Sequence, residues 1–264
     1  MTRPRRRASA SARRPDVAPA VPGEQLDLPI PTSEAPGRLH DRLVPMQPTD
    51  GTEPFDDPAY LFEPWWPGVR AQAWIEGNRL VRLRAAGLAD ALTAFAELTE
   101  ELPDRLMEDG VLLDGWLLVL DEGGWLDGAL LRRRLTGDRG AGRPAYVATD
   151  ALWSNGEELT RRPFATRRQR LQSVLLDGDR CVVSHALHGE GTLLAEALAR
   201  FGLTAISARH LDARYRSGPA GDAWLRVPVT PMERTERPRL ALIQRLPLPD
   251  AEPDQGMSSP RSQG

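Results

Sequence analysis

The sequence predicts an α+β domain built on largely antiparallel sheets, and three observations carry that reading. Seven short apolar or alternating runs lie within residues 51–227. Three longer stretches repeat apolar residues at helical spacing. Several strand-like runs follow one another with no helix between them, which argues against a strict βαβ chain and its parallel sheet. Proline marks the edges: of 24 Pro, nine fall in residues 1–50 and seven in 228–264. The expected organisation is a disordered Arg/Pro-rich arm over 1–42, a folded domain over 43–228 and a flexible Pro-rich tail over 229–264.

The elements follow in order. Strands are expected at 71–75 and 80–83, where β-branched and apolar residues alternate with polar ones. Leu88, Leu92, Phe95 and Leu102 recur at helical spacing until Pro103 stops them. Residues 111–120 form the longest apolar strand, and Asp121-Glu122-Gly123-Gly124 after it has the chemistry of a hairpin turn more than of paired carboxylates. A strand at 145–148 precedes a helix over 164–176, which opens after Pro163 and gathers Leu171, Val174 and Leu175. A strand at 180–184 precedes a third apolar stripe, Leu193, Leu194, Ala197, Leu198 and Phe201, closed by Gly202. Strands at 205–208 and 223–227 complete the pattern.

All 34 basic residues are Arg, and the chain contains no Lys. Any reaction that uses a lysine amine as nucleophile, base or Schiff-base partner is excluded, because the guanidinium stays protonated. Residues 1–14 carry six Arg and no acid, whereas the remainder carries 28 Arg against 37 acids. Such an arm either binds nucleic acid by counterion release or is a solvated tail. The lone Cys181 excludes an internal disulfide and fits a reducing, cytoplasmic setting. No apolar run is long enough to cross a bilayer and no leader is seen, so no membrane partner is expected. Cys181, His185 and His188 have metal-like spacing but lack a fourth ligand, and structural roles are expected for them.

Several segments, taken in order, resemble one family. They are Phe55-Asp56-Asp57-Pro58, Leu61-Phe62-Glu63-Pro64-Trp65-Trp66-Pro67-Gly68-Val69-Arg70, and Leu80-Val81-Arg82-Leu83-Arg84. Leu113-Asp114-Gly115-Trp116, Tyr146-Val147-Ala148-Thr149-Asp150 and Leu159-Thr160-Arg161-Arg162-Pro163 come next. Ala205-Ile206-Ser207-Ala208-Arg209, Leu211-Asp212, Tyr215-Arg216 and Trp224-Leu225-Arg226-Val227 close the series. The chain over about 44–228 resembles the adenylation domain of ATP-dependent DNA ligases, with the bacterial end-joining ligases the nearest in kind. The resemblance implies the nucleotidyltransferase fold shared with mRNA capping enzymes, with ATP and Mg²⁺ as the cofactors of the family.

The departures from the family pattern fall on its chemistry. The resemblance places the AMP-accepting lysine at Trp65 and the following acid at Pro67. It places the ribose- and metal-supporting glutamate at Trp116, a second glutamate at Thr204, and the two phosphate-binding lysines at Arg226 and Pro228. Glu63 stands where the family reads the adenine amine, and Arg70 and Arg84 near where it reads ribose and nucleotide. With Arg209 and Arg226 these are the candidates for a residual nucleotide pocket, or else are inherited polar positions now paired with acids. Only 36 residues follow Pro228, too few for an oligonucleotide-binding barrel, so none is expected in this sequence. The functional expectations are a catalytically silent, ligase-like accessory of DNA repair or end joining that binds DNA or a repair protein, a nucleotide sensor, or a working ligase. The missing lysine speaks against the last.

Overall fold

The computed structural model describes residues 43–233 and 235–246. The expected arm over 1–42 and the last eighteen residues of the expected tail lie outside them. Two short strands, β1 (Met46–Gln47) and β2 (Thr49–Asp50), lead into β3 (Asp56–Pro64). A tight passage over 65–68 delivers the chain to β4 (Val69–Glu76) and β5 (Arg79–Ala85). Gly77 and Asn78 join these two at φ +60° and +54°, the pair of left-handed residues that a type I′ hairpin turn requires. The Asp109 carboxylate accepts from both of their amides, at 2.9 and 3.3 Å.

The single helix expected between Leu88 and Leu102 is two one-turn helices, α1 (Ala91–Ala94) and α2 (Leu98–Glu101), which bury Phe95, Leu98 and Leu102. All ten residues of β6 (Val111–Leu120) are buried, as a strand packed on both faces demands. Asp121 then caps a turn, its Oδ1 accepting from the amides of Gly123 and Trp125 at 2.9 and 3.0 Å. The helix α3 (Gly128–Leu135), which the sequence pattern did not suggest, starts on the side-chain cap of Asp127. The strand β7 (Arg143–Ser154) continues into β8 (Glu157–Glu158), and α4 (Phe164–Val174) begins behind Pro163 as expected. The strands β9 (Cys181–Val183) and β10 (Leu187–Glu190) precede α5 (Gly191–Ala199). The strands β11 (Ala205–His210), β12 (Gly218–Pro219) and β13 (Trp224–Pro228) and the turn α6 (Leu240–Ile243) finish the described chain.

Of the three sheets among the described residues, the first runs β10-β3-β11-β13-β2, the second runs β5-β4-β6-β7-β8 with β9 parallel to β7, and a small third pairs β1 with β12 in parallel. Pairing within the long strands is otherwise antiparallel, so the α+β fold and its antiparallel sheets are as expected. Because β3 belongs to the first sheet and β4 to the second, residues 65–68 cross from one to the other. Gly68 lies at this crossing, where a Cβ would meet the Leu117 carbonyl oxygen at 2.3 Å. A Cβ on Gly115 would meet the Val147 carbonyl oxygen, also at 2.3 Å. Both glycines of the family pattern therefore have steric reasons to persist that involve no ligand.

The segment after Pro228 differs from the expected tail over residues 229–246. The amides of Val229, Met232 and Glu236 donate to the carbonyls of Thr204, Ala199 and Arg200 at 2.8, 3.2 and 2.7 Å. Leu240, Ile243 and Leu246 are buried against the core around Trp66 and Leu118. Gln244 fastens the end, accepting from the His185 amide and donating to the Val183 carbonyl, both at 2.7 Å. Apolar burial at three positions three residues apart outweighs the proline content that suggested a tail.

Candidate functional site

The crossing sets Trp65 and Trp66 apart. Trp66 is fully buried and donates its indole N–H to Ser184 Oγ at 3.0 Å. Trp65 turns toward the face of β6 on which Trp116 stands, and the two rings meet edge to face, centroids 4.8 Å apart and planes at 70°. The ring of Trp224 on β13 lies 6.2 Å from Trp65. Trp116 is only 7% exposed, and its indole projects where the resemblance would put a glutamate. Three indoles thus meet on the face where that resemblance places the lysine and the ribose-supporting acid.

Arginines pack onto these rings. The guanidinium carbons of Arg70 and Arg209 lie 4.4 and 4.3 Å from the Trp224 centroid, and that of Arg226 lies 5.5 Å from the Trp65 centroid. Arg70 donates to Asp114 Oδ1 through Nε at 2.9 Å, to Asp114 Oδ2 through Nη2, and to the Met46 carbonyl through Nη1. Tyr215 Oη donates to the same carboxylate at 2.6 Å. Burial lowers the Arg70 pKa, but the pairing with Asp114 outweighs it and leaves the group more basic than usual. The Arg209 pKa is lowered by burial, although Glu63 and Asp150 oppose the change.

A second charged cluster adjoins the first. Arg167 grips Asp150 with two bonds of 2.8 Å, and Arg209 reaches the same carboxylate at 3.2 Å and Thr149 Oγ1 at 2.9 Å. Glu63 is fully buried, accepts from Arg168 Nη1 at 2.7 Å and faces Arg209 Nε at 3.7 Å. Its Oε2, the atom that faces Arg209 Nε, has no hydrogen-bond partner among the described residues.

Of the five residues expected to form a residual pocket, Glu63, Arg70 and Arg209 lie together and are spent on internal partners. Arg226 stands at the rim, 39% exposed, beside Trp65 and 3.7 Å from Asp50. Arg84 stands on the edge strand β5, over the ring of Trp74 at 5.9 Å, and shares with Arg70 the wall of a cavity of about 320 Å³. Thr204 is exposed beside Trp65 and Pro67 on the wall of a cavity of about 420 Å³, whose other side is the segment 235–238. Arg167 and Arg168 were missed by the sequence reading. Their signal was positional: they stand three and four residues after Phe164 and before Leu171, on the buried stripe of α4.

The fit to ATP and Mg²⁺ is poor. Trp116 and Thr204 bring no carboxylate to the positions of the two acids, although Asp127 and Glu236 line the same cavity as Thr204, and no group of three metal-binding side chains occurs among the described residues. Cys181 is buried in β9, while His188 Nε2 contacts the Pro58 carbonyl at 2.7 Å, so the two serve different local contacts. Among the described residues no helix is long and apolar enough to cross a membrane.

No family model matches the chain. It is 25% identical over 175 residues to the SPbeta prophage-derived DNA ligase-like protein LigB of Bacillus subtilis, covering 66% of this chain and 63% of that protein. It is 27% identical over 192 residues to the multifunctional non-homologous end joining protein LigD of Mycolicibacterium smegmatis, covering 70% of this chain and 23% of that protein. The chain thus spans less than two thirds of either relative. The crystal structure of the ligase domain from M. tuberculosis LigD superposes with a TM-score of 0.59 at 25% identity, over 70% of this chain and 58% of that one. A mycobacterial DNA ligase D complexed with ATP and MES shares the fold, with a TM-score of 0.54 at 24% identity. With its motifs in family order on this fold, the chain is similar to ATP-dependent DNA ligases of the end-joining type over their adenylation domain.

Proposed function

We propose that this chain is a ligase-type adenylation domain that no longer forms a covalent adenylate and acts as a DNA-binding accessory in end joining or repair. The observation that carries the proposal is Trp65 at the lysine position, packed edge to face on Trp116 in a chain without lysine. An indole has no nucleophilic amine, and two large aromatic side chains in contact fill space that a nucleotide would need. What persists of the family pattern supports the same reading. Gly68 and Gly115 allow close strand approach, and Arg70, Asp114 and Arg209 hold elements together. The role in end joining is taken from the relative in Mycolicibacterium smegmatis, which is a non-homologous end joining protein.

DNA binding is assigned to the Arg-rich residues 1–14, which offer charge and no base-reading side chains. The test is a salt series with nicked and intact duplexes. Binding should be sequence-independent, and deleting residues 1–14 should flatten the slope of log K against log salt by up to about 5. Equal affinity and slope for the truncated protein would refute the assignment.

A nucleotide sensor is the second reading, and one observation favours it. Glu63 Oε2 is buried where the resemblance puts the adenine amine, and among the described residues it has no hydrogen-bond donor, only the Arg209 Nε charge at 3.7 Å. If ATP raises the melting temperature of the full chain, that reading gains and the filled cleft loses.

A further inference from the structure

A cavity of about 600 Å³ lies along α4, and none of the three indoles lines it. Ala165 and Gln172 both line it and stand seven residues apart on that helix, so it runs for about 10 Å along the helix axis. Leu61 from β3, Leu176 just after α4 and Leu211 just after β11 give it apolar surface. Leu176 is 52% exposed and the other two are half-buried, so part of this leucine surface is left to water. A single exposed leucine is ordinary, but three from separate elements around one hollow offer a seat for a further apolar group. Filling it removes that surface from water.

The chain itself reaches this seat. Gln244 lines the same cavity and is fixed there by its two hydrogen bonds to the backbone of His185 and Val183. Two residues on, Leu246 is 2% exposed and is the last described residue. The sequence continues Pro247-Leu248-Pro249-Asp250-Ala251-Glu252, with Leu248 as the one large apolar side chain. Prolines two apart hold φ near −65° and keep the residues before them out of the helical region, which favours polyproline II. At about 3.1 Å per residue, six such residues span about 19 Å, more than the cavity requires. Neither proline has an N–H, so packing them on leucines strands no donor at those two positions. The short tether keeps the segment at an effective concentration of about millimolar, so modest apolar contact is enough to seat it. We propose that residues 247–252 lie along α4 in this cavity as an extended strap, with Leu248 seated among Leu61, Leu176 and Leu211. The seating is apolar and not ionic: of the charged groups on the wall, Arg168 is engaged by Glu63 and Asp177 by the Val183 amide.

The test is thermal unfolding of the full chain beside Leu248→Asp, Leu176→Asp and the double variant. Leu248→Asp should lower the Tm by about 3–6 °C, the shift expected for losing one buried leucine in a domain of this size. Leu176→Asp, at an exposed position, should fold normally and lower the Tm by a similar amount. The double variant should melt close to either single one, because each substitution empties the same seat. A synthetic peptide of residues 247–256 should then shift the NMR signals of the cavity residues in Leu248→Asp and leave those of the parent unchanged, since its own strap fills the site. An unchanged Tm in Leu248→Asp would overturn the proposal, as would full additivity in the double variant. Sedimentation distinguishes a second copy of the chain as occupant: an oligomer of the parent that Leu176→Asp dissociates and Leu248→Asp does not would also overturn it.

Discussion

Replacing Arg70 by Met separates a nucleotide-reading role from a structural one. The substitution keeps the length of the side chain and removes its charge and donors. It deletes the two bonds to Asp114, the bond to the Met46 carbonyl and the contact with Trp224 at 4.4 Å. The Arg70 side chain is 14% exposed and that of Asp114 is 0% exposed, so a carboxylate is left inside the protein without its cation. Breaking a buried pair costs about 3–5 kcal/mol. Tyr215 still donates to Asp114 at 2.6 Å, which argues for the lower end of that range, about 3 kcal/mol. For a domain of this size, that corresponds to a fall in Tm of about 6–12 °C. The assay is thermal and urea unfolding of the full chain without nucleotide, beside Arg162→Met as a control. Arg162 and Glu157 are 58% and 54% exposed, and losing that pair should cost less than about 1 kcal/mol. If Arg70→Met melts within about 2 °C of the parent, the reasoning fails and Arg70 is free for a ligand.

Three further outcomes are expected. Ile243→Ala should destabilise the protein by about 2–5 kcal/mol, because its fully buried side chain anchors the segment after Pro228. Unchanged urea unfolding would mean that this segment does not stabilise the domain. The Cys181 thiol, buried and with its pKa pushed up by burial to about 12, should stay unreactive toward a disulfide reagent near pH 8 until the protein unfolds. Rapid native-state labelling would contradict the burial. Burial lowers the His185 pKa below its ordinary 6.5, and Arg168 adds to the effect. The unfolded chain then takes up this proton more readily than the folded one. Stability from this group is complete above about pH 6.5 and is lost as the pH falls below it. His185→Gln should remove that part of the acid sensitivity, and identical pH profiles for the two proteins would refute it.

Strands packed on both faces were the most legible part of the sequence. Val111–Leu120 is a continuous apolar run, and nothing but a buried strand suits its length and flanks. The strand Asp56–Pro64 was not legible as such, because Pro58, Pro64 and its half-exposed first half break the alternation. One apolar period over 88–102 concealed two separate turns, since the spacing of Leu88, Leu92, Phe95 and Leu102 is the same for both. The segment 229–246 was masked by its prolines, although Leu240, Ile243 and Leu246 carried the signal. In the site, motif order located Trp65, Trp116 and Thr204, but it could not say that the two indoles touch. The partners of Glu63 and Arg209 were out of reach as well. Arg168 is 105 residues from Glu63 in sequence, and such a pairing is made by the fold and not by spacing.

The central claim is that Trp65 and Trp116 have ended self-adenylation. The most direct test is intact-mass measurement of the full chain after incubation with ATP and Mg²⁺ or Mn²⁺, beside Trp65→Lys and an active DNA ligase. The account predicts no mass increase for the parent. It also predicts none for Trp65→Lys alone, because the restored amine still meets Trp116 and lacks acids at 116 and 204, and groups that act as a unit recover little from one repair. A gain of one AMP on the parent chain would contradict the account outright. The same gain on Trp65→Lys would show that the cleft still holds ATP and that only the amine is missing.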